Sequence, residues 1–349
     1  GNGVRPFRRD QPPTEASDEP DFLISIAGEE RVHVLSPSVA PSSLCNSLTI
    51  RTVISPDDVA AYWNAAGCLA GIQVAVGANS PTFLGKLLWH ETRIPLLEQS
   101  QDTRTEEQKA QMNRPRVWFG ERWITSAFDL FEENARYFSA LLPKIDEEDP
   151  LVALEGGGLP CLQELVLHNS TIFRWNRPVF DVADGRAQLG IENRVLPVGP
   201  TPADIAADCA FYIGLMRSFA EDERPLWTKL SFDAAEENFH TCSQNGITAT
   251  IYWPGLGLVS VTDLVLQRLL PLAQDGLARS QVDGKTSDLL LGNIEQRCVT
   301  KQNGATWQLN AIRQLEARNL NRREAIRDMT ARYVDLSETG QPVHTWAGV

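Results

Sequence analysis

The sequence contains no run of about 20 consecutive apolar residues, which is the length that a membrane-spanning helix needs. Its first residues also lack the apolar core of a signal peptide. Positive charge is scarce: 32 Lys and Arg residues stand against 45 Asp and Glu residues, so the formal net charge is −13. Because nucleic-acid binding needs clustered Lys and Arg, this balance argues against a nucleic-acid partner. We therefore expect a cytoplasmic protein without a membrane or nucleic-acid partner.

Cysteine is also sparse. The six cysteines are widely scattered, and no two of them form a C-x-x-C pair. This pattern is typical of reduced thiols in a cytosol, and it favours neither a disulfide framework nor a zinc site. A lone cysteine usually serves as a small apolar residue, so we assign catalysis to none of the six.

The composition is that of a globular protein. Of 349 residues, 42% are hydrophobic and 22% are charged. Residues 1–20 are rich in Pro, Arg, Asp and Glu and poor in apolar residues, so we predict that they are disordered or loosely attached. No segment with the composition of a linker interrupts the rest, and residues 21–349 are predicted to form one domain.

The order of the predicted elements indicates the fold class. Strand-like segments gather in the first half, as at Phe22–Ala27 and Leu48–Ile54, and in a hairpin near residue 184. From Pro202 onward the chain has mainly helical spacing. Strands followed by helices predict an α+β fold, in which an antiparallel sheet is backed by helices and the C-terminal third is helical.

The segment 168–201 carries the densest set of polar groups. Asp184-Gly185 is a turn signal between two strand-like runs. The second run is Leu189–Leu196, in which Glu192 and Arg194 are two residues apart. Since side chains alternate across a strand, Glu192 and Arg194 are predicted to share one face. Their neighbours then point to the other face.

This hairpin suggests a binding site. The first run brings a further guanidinium, that of Arg177, next to the face that carries Glu192 and Arg194. Carboxylate oxygens are the ligands that Mg²⁺ prefers, and guanidinium groups bind phosphate or carboxylate in bidentate fashion. A site for metal ions and phosphates is one interpretation. The other is an exposed sheet face with cross-strand ion pairs, which are common and contribute little to stability.

The same residues resemble a known family. The letters W-N-R-P at 175–178, the D-G turn and E-N-R-V-L-P-V-G-P-T at 192–201 are similar to the glutamate–cysteine ligase family, in its bacterial second group. The similarity runs from about Phe22 to the C-terminus. Its further segments are Tyr62–Leu97, Arg114–Thr125, Ala235–His240, Ile294–Trp307 and Pro342–Trp346.

The resemblance implies a function and a fold. It implies an ATP-dependent carboxylate–amine ligase of glutathione biosynthesis, which joins glutamate to cysteine or another amine through an acyl phosphate and uses ATP and Mg²⁺. The fold it implies is a glutamine-synthetase-like curved antiparallel sheet. The implied roles are a metal ligand at Glu192, catalysis by Arg177 and Arg194, ATP binding by Arg174, Arg177 and Arg194, and substrate binding by Arg93, Asn79 and His168.

Two departures from the family pattern leave an alternative open. Thr49 and Arg51 stand where family members usually have Gln and His. The family's first acidic strand lies upstream of everything matched, so we expect a catalytic domain that is truncated on its N-terminal side. The alternative is a catalytically impaired or non-catalytic relative that binds a small ligand or a protein partner. The sequence predicts no oligomeric state.

Overall fold

The computed structural model describes residues 22–142, 147–183 and 185–349. The predicted N-terminal segment, residues 1–20, lies outside the described residues, and so does Asp184 of the predicted turn. The fold is mixed α+β, with 53% helix and 16% strand among the described residues. Because helix exceeds strand about threefold, small sheets lie on a largely helical body. The predicted fold class is thus confirmed at the level of α+β.

The described strands are short and antiparallel apart from one parallel pair. They are β1 (Phe22–Ala27), β2 (Arg31–Ser36), β3 (Ile50–Ile54), β4 (Thr82–Phe83), β5 (Lys86–Leu87), β6 (Val117–Trp118), β7 (Phe173–Arg174), β8 (Asn176–Ala183), β9 (Arg186–Asn193), β10 (Thr250–Trp253) and β11 (Gly257–Ser260). In the described part of the chain, β3, β9 and β8 form a three-stranded sheet with β9 in the centre, and the other strands form pairs. The parallel pair is β6 with β7.

The α-helices make up about half of the described residues and most of the C-terminal third, as the sequence predicted. They are α1 (Val59–Gly77), α2 (Arg93–Ser100), α3 (Glu106–Ala110), α4 (Ala127–Tyr137), α5 (Pro150–Glu155), α6 (Gln163–Ser170), α7 (Pro202–Ala220), α8 (Phe232–Asn245), α9 (Val261–Leu264), α10 (Leu270–Arg279), α11 (Gly284–Thr300), α12 (Gly304–Ala317) and α13 (Arg322–Glu338).

Helix α1 is the centre of the main core. It packs against α7, α8 and the central strand β9. It approaches α8 closely at Gly71, where a Cβ atom would lie 2.8 Å from the carbonyl oxygen of Asn238. Within the described residues it is the one helix that is long and apolar enough to cross a membrane, yet 83% of its apolar window is buried inside the protein. This burial is that of a core helix.

The three-stranded sheet has one buried face and one open face. Ile191 and Asn193 of β9 are fully buried against the core, and Asn193 donates a hydrogen bond to Gln73 of α1 at 3.1 Å. On the opposite face, Arg51, Glu192 and Arg177 stand directly across from one another on β3, β9 and β8. The sheet therefore turns a row of charged side chains away from the core.

The second strand of the hairpin differs from its predicted bounds. It begins at Arg186 and ends at Asn193, whereas the sequence predicted Leu189–Leu196. The strand ends there because the Oδ1 atom of Asn193 accepts hydrogen bonds from the backbone N–H groups of Val195 and Leu196, at 3.2 and 3.4 Å. Those two N–H groups are then not available for a ladder. Arg194 consequently lies just beyond the strand.

Candidate functional site

The arginine–glutamate site consists of Arg177, Glu192 and Arg194 on the open face of the sheet. Arg177 donates through Nη2 to one oxygen of Glu192 at 3.1 Å, and Arg194 donates through Nε to the other at 2.5 Å. The three side chains are 14 to 19% exposed. The sequence predicted that these side chains converge, and this prediction is confirmed.

The site carries a surplus of positive charge. Burial raises the pKa of the Glu192 carboxyl, but the two guanidinium groups outweigh it and hold that pKa below its usual range. Glu192 is therefore ionised at neutral pH and neutralises one of the two arginines. Burial and the neighbouring charge of Arg177 lower the pKa of Arg194, but an arginine keeps its proton in a protein. One positive charge remains.

Several N–H donors in the site are not used by the protein. Arg194 lies over the ring of Phe173 at 4.7 Å, and among the described residues its terminal nitrogens donate to no protein acceptor. The Nε atom of Arg177 is buried without a hydrogen-bond partner in the same part of the chain. The terminal N–H groups of Arg194, which are not among the buried atoms, suit the oxygen atoms of a phosphate or a carboxylate.

The described residues do not fit a resident Mg²⁺ ion. Both oxygens of Glu192 already accept hydrogen bonds from arginines. Across residues 22–142, 147–183 and 185–349, no group of three His, Cys, Asp or Glu side chains is placed to hold a metal ion. Mg²⁺ is held by several oxygen ligands, and one carboxylate flanked by two cations is a poor substitute. The predicted role of Glu192 as a metal ligand thus has no support from its surroundings.

Arg51 turns away from Glu192 although it stands opposite it in the sheet. It pairs with Asp181 of β8 at 3.3 Å, and both side chains are largely exposed. At Gly190 the central strand approaches the backbone of β3 closely, since a Cβ atom there would lie 2.6 Å from the carbonyl oxygen of Thr52. Only glycine fits this approach. Arg51 therefore adds no charge to the arginine–glutamate site.

Arg93, predicted to bind substrate, lies in the protein interior. Its Nε donates to Glu91 at 2.8 Å, and its terminal nitrogens donate to the carbonyl oxygens of Arg194 and Val195 at 3.3 and 2.6 Å. The guanidinium also packs over the ring of Trp175. Because every nitrogen is engaged, the guanidinium faces the backbone behind the site and is not directed at the open face.

Asn79, the second predicted substrate-binding residue, is equally engaged. Its Nδ2 donates to the carbonyl oxygen of Val198 at 2.9 Å and to the hydroxyl of Tyr333 at 2.8 Å. Its Oδ1 accepts a hydrogen bond from Gln308 at 2.9 Å. The amide thus ties the loop before β4 to the C-terminal helices, and the structure does not bring it to the site.

Arg174 and His168 lie on the other side of the hairpin. Arg174 is fully buried and donates to Glu133 at 2.9 Å and to Asn134 at 3.0 Å, while His168 contacts the carbonyl oxygen of Asn134. The prediction that Arg174 joins Arg177 at the phosphate site is wrong. Positions three apart on an extended chain point to opposite faces, so these two arginines separate.

The sequence pattern did not identify the buried polar residues that support the site. Asn193 bonds to Gln73, to Asn176 and to the backbone that follows β9. A polar residue at an inward position of a strand is the signal that points to such a role. It also missed Asp204, Asp208 and Arg297, which form a buried ion cluster.

The comparisons with known proteins add no family assignment. Neither a scan against models of protein families nor a search among curated proteins finds a match to this chain. The resemblance to glutamate–cysteine ligases therefore rests on the sequence segments quoted above. What the geometry contributes is a partly buried pair of arginines, braced by one carboxylate, on the open face of a sheet.

Proposed function

We propose that this chain is an ATP-dependent carboxylate–amine ligase similar to glutamate–cysteine ligase. In this proposal residues 21–349 form one catalytic domain with a glutamine-synthetase-like sheet, and the protein acts in the cytoplasm. The observation that carries the proposal is the arginine–glutamate site, in which Arg177 and Arg194 keep unused donors and one surplus positive charge. This arrangement favours the triphosphate of ATP and the carboxylate of an amino acid over neutral ligands.

The proposed reaction has two steps. The γ-carboxylate of glutamate attacks the γ-phosphorus of ATP, so that ADP leaves and an acyl phosphate forms. The amine of cysteine or another acceptor then attacks the carbonyl carbon, phosphate leaves, and the nitrogen loses a proton to give the amide. Both steps place negative charge on phosphate oxygens, and fixed cations stabilise such charge with little reorganisation.

Each residue of the site has a role in this scheme. Arg177 and Arg194 bind the transferred phosphate, and Glu192 holds both guanidinium groups in place through its two oxygens. A preoriented pair loses less side-chain entropy on binding than two free arginines would. Because the described residues do not fit a resident Mg²⁺, no step is assigned to a metal held by this chain.

The test is ADP release with ATP, glutamate and cysteine, measured on the full chain. Arg177→Gln and Arg194→Gln are each expected to lower turnover by roughly 100-fold or more, as removal of a charge-stabilising donor does. Arg186→Gln is the matched control, since Arg186 is an exposed arginine at the start of β9, in the same hairpin. Turnover that the two site variants leave unchanged would contradict the proposal.

A second function is favoured by the neutralised carboxylate. Glu192 is paired on both oxygens, which suits a non-catalytic relative that binds a small anionic ligand or an acidic segment of a protein partner. Binding of ATP or glutamate without any ADP release would select this alternative. ADP release that depends on both glutamate and an amine would select the ligase.

A further inference from the structure

We infer that Arg93 is a positioning residue, which fixes the backbone of Arg194 from behind and so aims its guanidinium at the open face. The inference deepens the proposed function, on which it rests only for the nature of the bound anion. It replaces the substrate-binding role that the sequence suggested for Arg93. It also gives the buried Glu91 and the partly buried Asn79 a part in the same arrangement.

The backbone of Arg194 needs support because β9 ends one residue earlier. Its N–H donates to the carbonyl oxygen of Trp175 at 2.9 Å. Its own carbonyl oxygen and that of Val195 have no partner strand, and both accept from Arg93. A buried carbonyl without a donor is costly. The backbone of Arg194 and Val195 therefore depends on Arg93 for its conformation.

Arginine is suited to this task in a way that lysine is not. The planar guanidinium directs Nη1 and Nη2 to two successive carbonyl oxygens while Nε donates to Glu91. An ammonium group places all three donors on one nitrogen and cannot span both carbonyls in this geometry. Arg93→Lys therefore keeps the charge but loses the clamp.

The positive charge of Arg93 is balanced by Glu91, which a chain of hydrogen bonds holds in place. Glu91 accepts from Arg93 on one oxygen and from the backbone N–H of Asn79 on the other, at 2.9 Å. The Asn79 side chain is in turn held by Gln308 and Tyr333 of the C-terminal helices. Helices α12 and α13 are thus linked to the arginine–glutamate site through Arg93.

The experiment compares Arg93→Lys with Arg297→Lys in the full chain. Arg297 is the matched control because it is also buried in an ion pair, but the hydrogen bonds of its guanidinium among the described residues go to Asp204 and Asp208 of α7. The first readout is the side-chain Nε–H resonance of Arg194 in a protein labelled with ¹⁵N-arginine, assigned by its loss in Arg194→Lys. The second is the dissociation constant for inorganic phosphate, from calorimetry.

Arg93→Lys is expected to shift the Arg194 Nε–H resonance and to weaken phosphate binding about tenfold, the scale on which supporting residues act. Arg297→Lys is expected to lower the melting temperature but to leave both readouts within error. An unshifted Arg194 resonance in folded Arg93→Lys overturns the inference. If Arg93→Lys does not fold, Glu91→Gln takes its place, with a shift of the same resonance expected. Absence of phosphate binding in the unmodified chain would count against the proposed function, while the resonance still decides the role of Arg93.

Discussion

Two charged clusters of this protein contain the same kinds of groups in opposite proportions. The arginine–glutamate site has two arginines and one carboxylate, and it is partly exposed. The aspartate–arginine cluster, defined as Asp204, Asp208 and Arg297, has two carboxylates and one arginine and is buried. The comparison shows that exposure determines whether a surplus charge is compensated by other groups of the protein or remains available to solvent and ligands.

In the buried cluster the surplus is absorbed by the protein. Arg297 donates to Asp208 at 2.6 Å and to Asp204 at 3.0 Å. The backbone N–H of Val343 and the hydroxyl of Thr201 donate to Asp204. Asp208 lacks such help, and burial raises the pKa of its carboxyl to about 6 despite Arg297. In the partly exposed arginine–glutamate site, the surplus positive charge instead remains available to solvent or a ligand.

The largest loss of stability is expected when the cation of the buried aspartate–arginine cluster is removed. Replacing Arg297 with Met leaves two buried carboxylates without their cation, and we expect a loss of about 3 to 5 kcal/mol in the free energy of unfolding. Urea denaturation measures this value, and Arg186→Met serves as an exposed control with no expected loss. A loss for Arg297→Met no larger than that of the control would break the comparison.

A smaller effect on the free energy of unfolding is expected from the protonation of the Asp208 carboxylate. Its pKa in the folded protein, about 6, lies above the usual 3.8, so ionisation opposes folding. The unfavourable contribution is absent below pH 4, grows as the pH rises to 6, and amounts to about 3 kcal/mol above it. We expect the stability of Asp208→Asn, relative to the unmodified protein, to rise across this window. If the difference in stability between Asp208→Asn and the unmodified protein does not change with pH, Asp208 does not have the raised pKa that explains this prediction.

Glu192 is expected to show the opposite pH dependence. Its pKa is lowered in the folded protein, so its contribution is present above pH 4.5 and is lost as the pH falls through the folded value. We expect Glu192→Gln to cost about 1 kcal/mol at pH 7, as for a partly exposed ion pair, and less in acid. The check is the free energy of unfolding of both proteins from pH 7 to pH 3, and a cost that grows in acid would contradict the assignment.

The sequence was informative wherever a local period determines the structure. Alternation along β9 predicted that Glu192 and Arg194 share a face, and their contact confirms it. The turn signal predicted the hairpin, and helical spacing predicted the C-terminal third. The same alternation also places Arg174 and Arg177 on opposite faces. The prediction for Arg174 was wrong because it followed the residue type and not the strand face.

The rest depends on contacts between distant parts of the chain. Arg93 meets the backbone of Arg194 across 101 positions, and Arg297 meets Asp208 across 89. No local pattern distinguishes an arginine that clamps buried carbonyls from one that faces a substrate. The end of β9 was also missed, because it is set by the side chain of Asn193 and not by propensity.

The most direct test of the account is a calorimetric titration of the full chain with inorganic phosphate at low ionic strength. The central claim is that the surplus charge of Arg177 and Arg194 forms an anion site, so binding should weaken about tenfold or more in Arg177→Gln and in Arg194→Gln. Arg186→Gln, in the same hairpin, should bind as the unmodified chain does. Equal weakening in all three variants, or no binding by the unmodified chain, would contradict the claim.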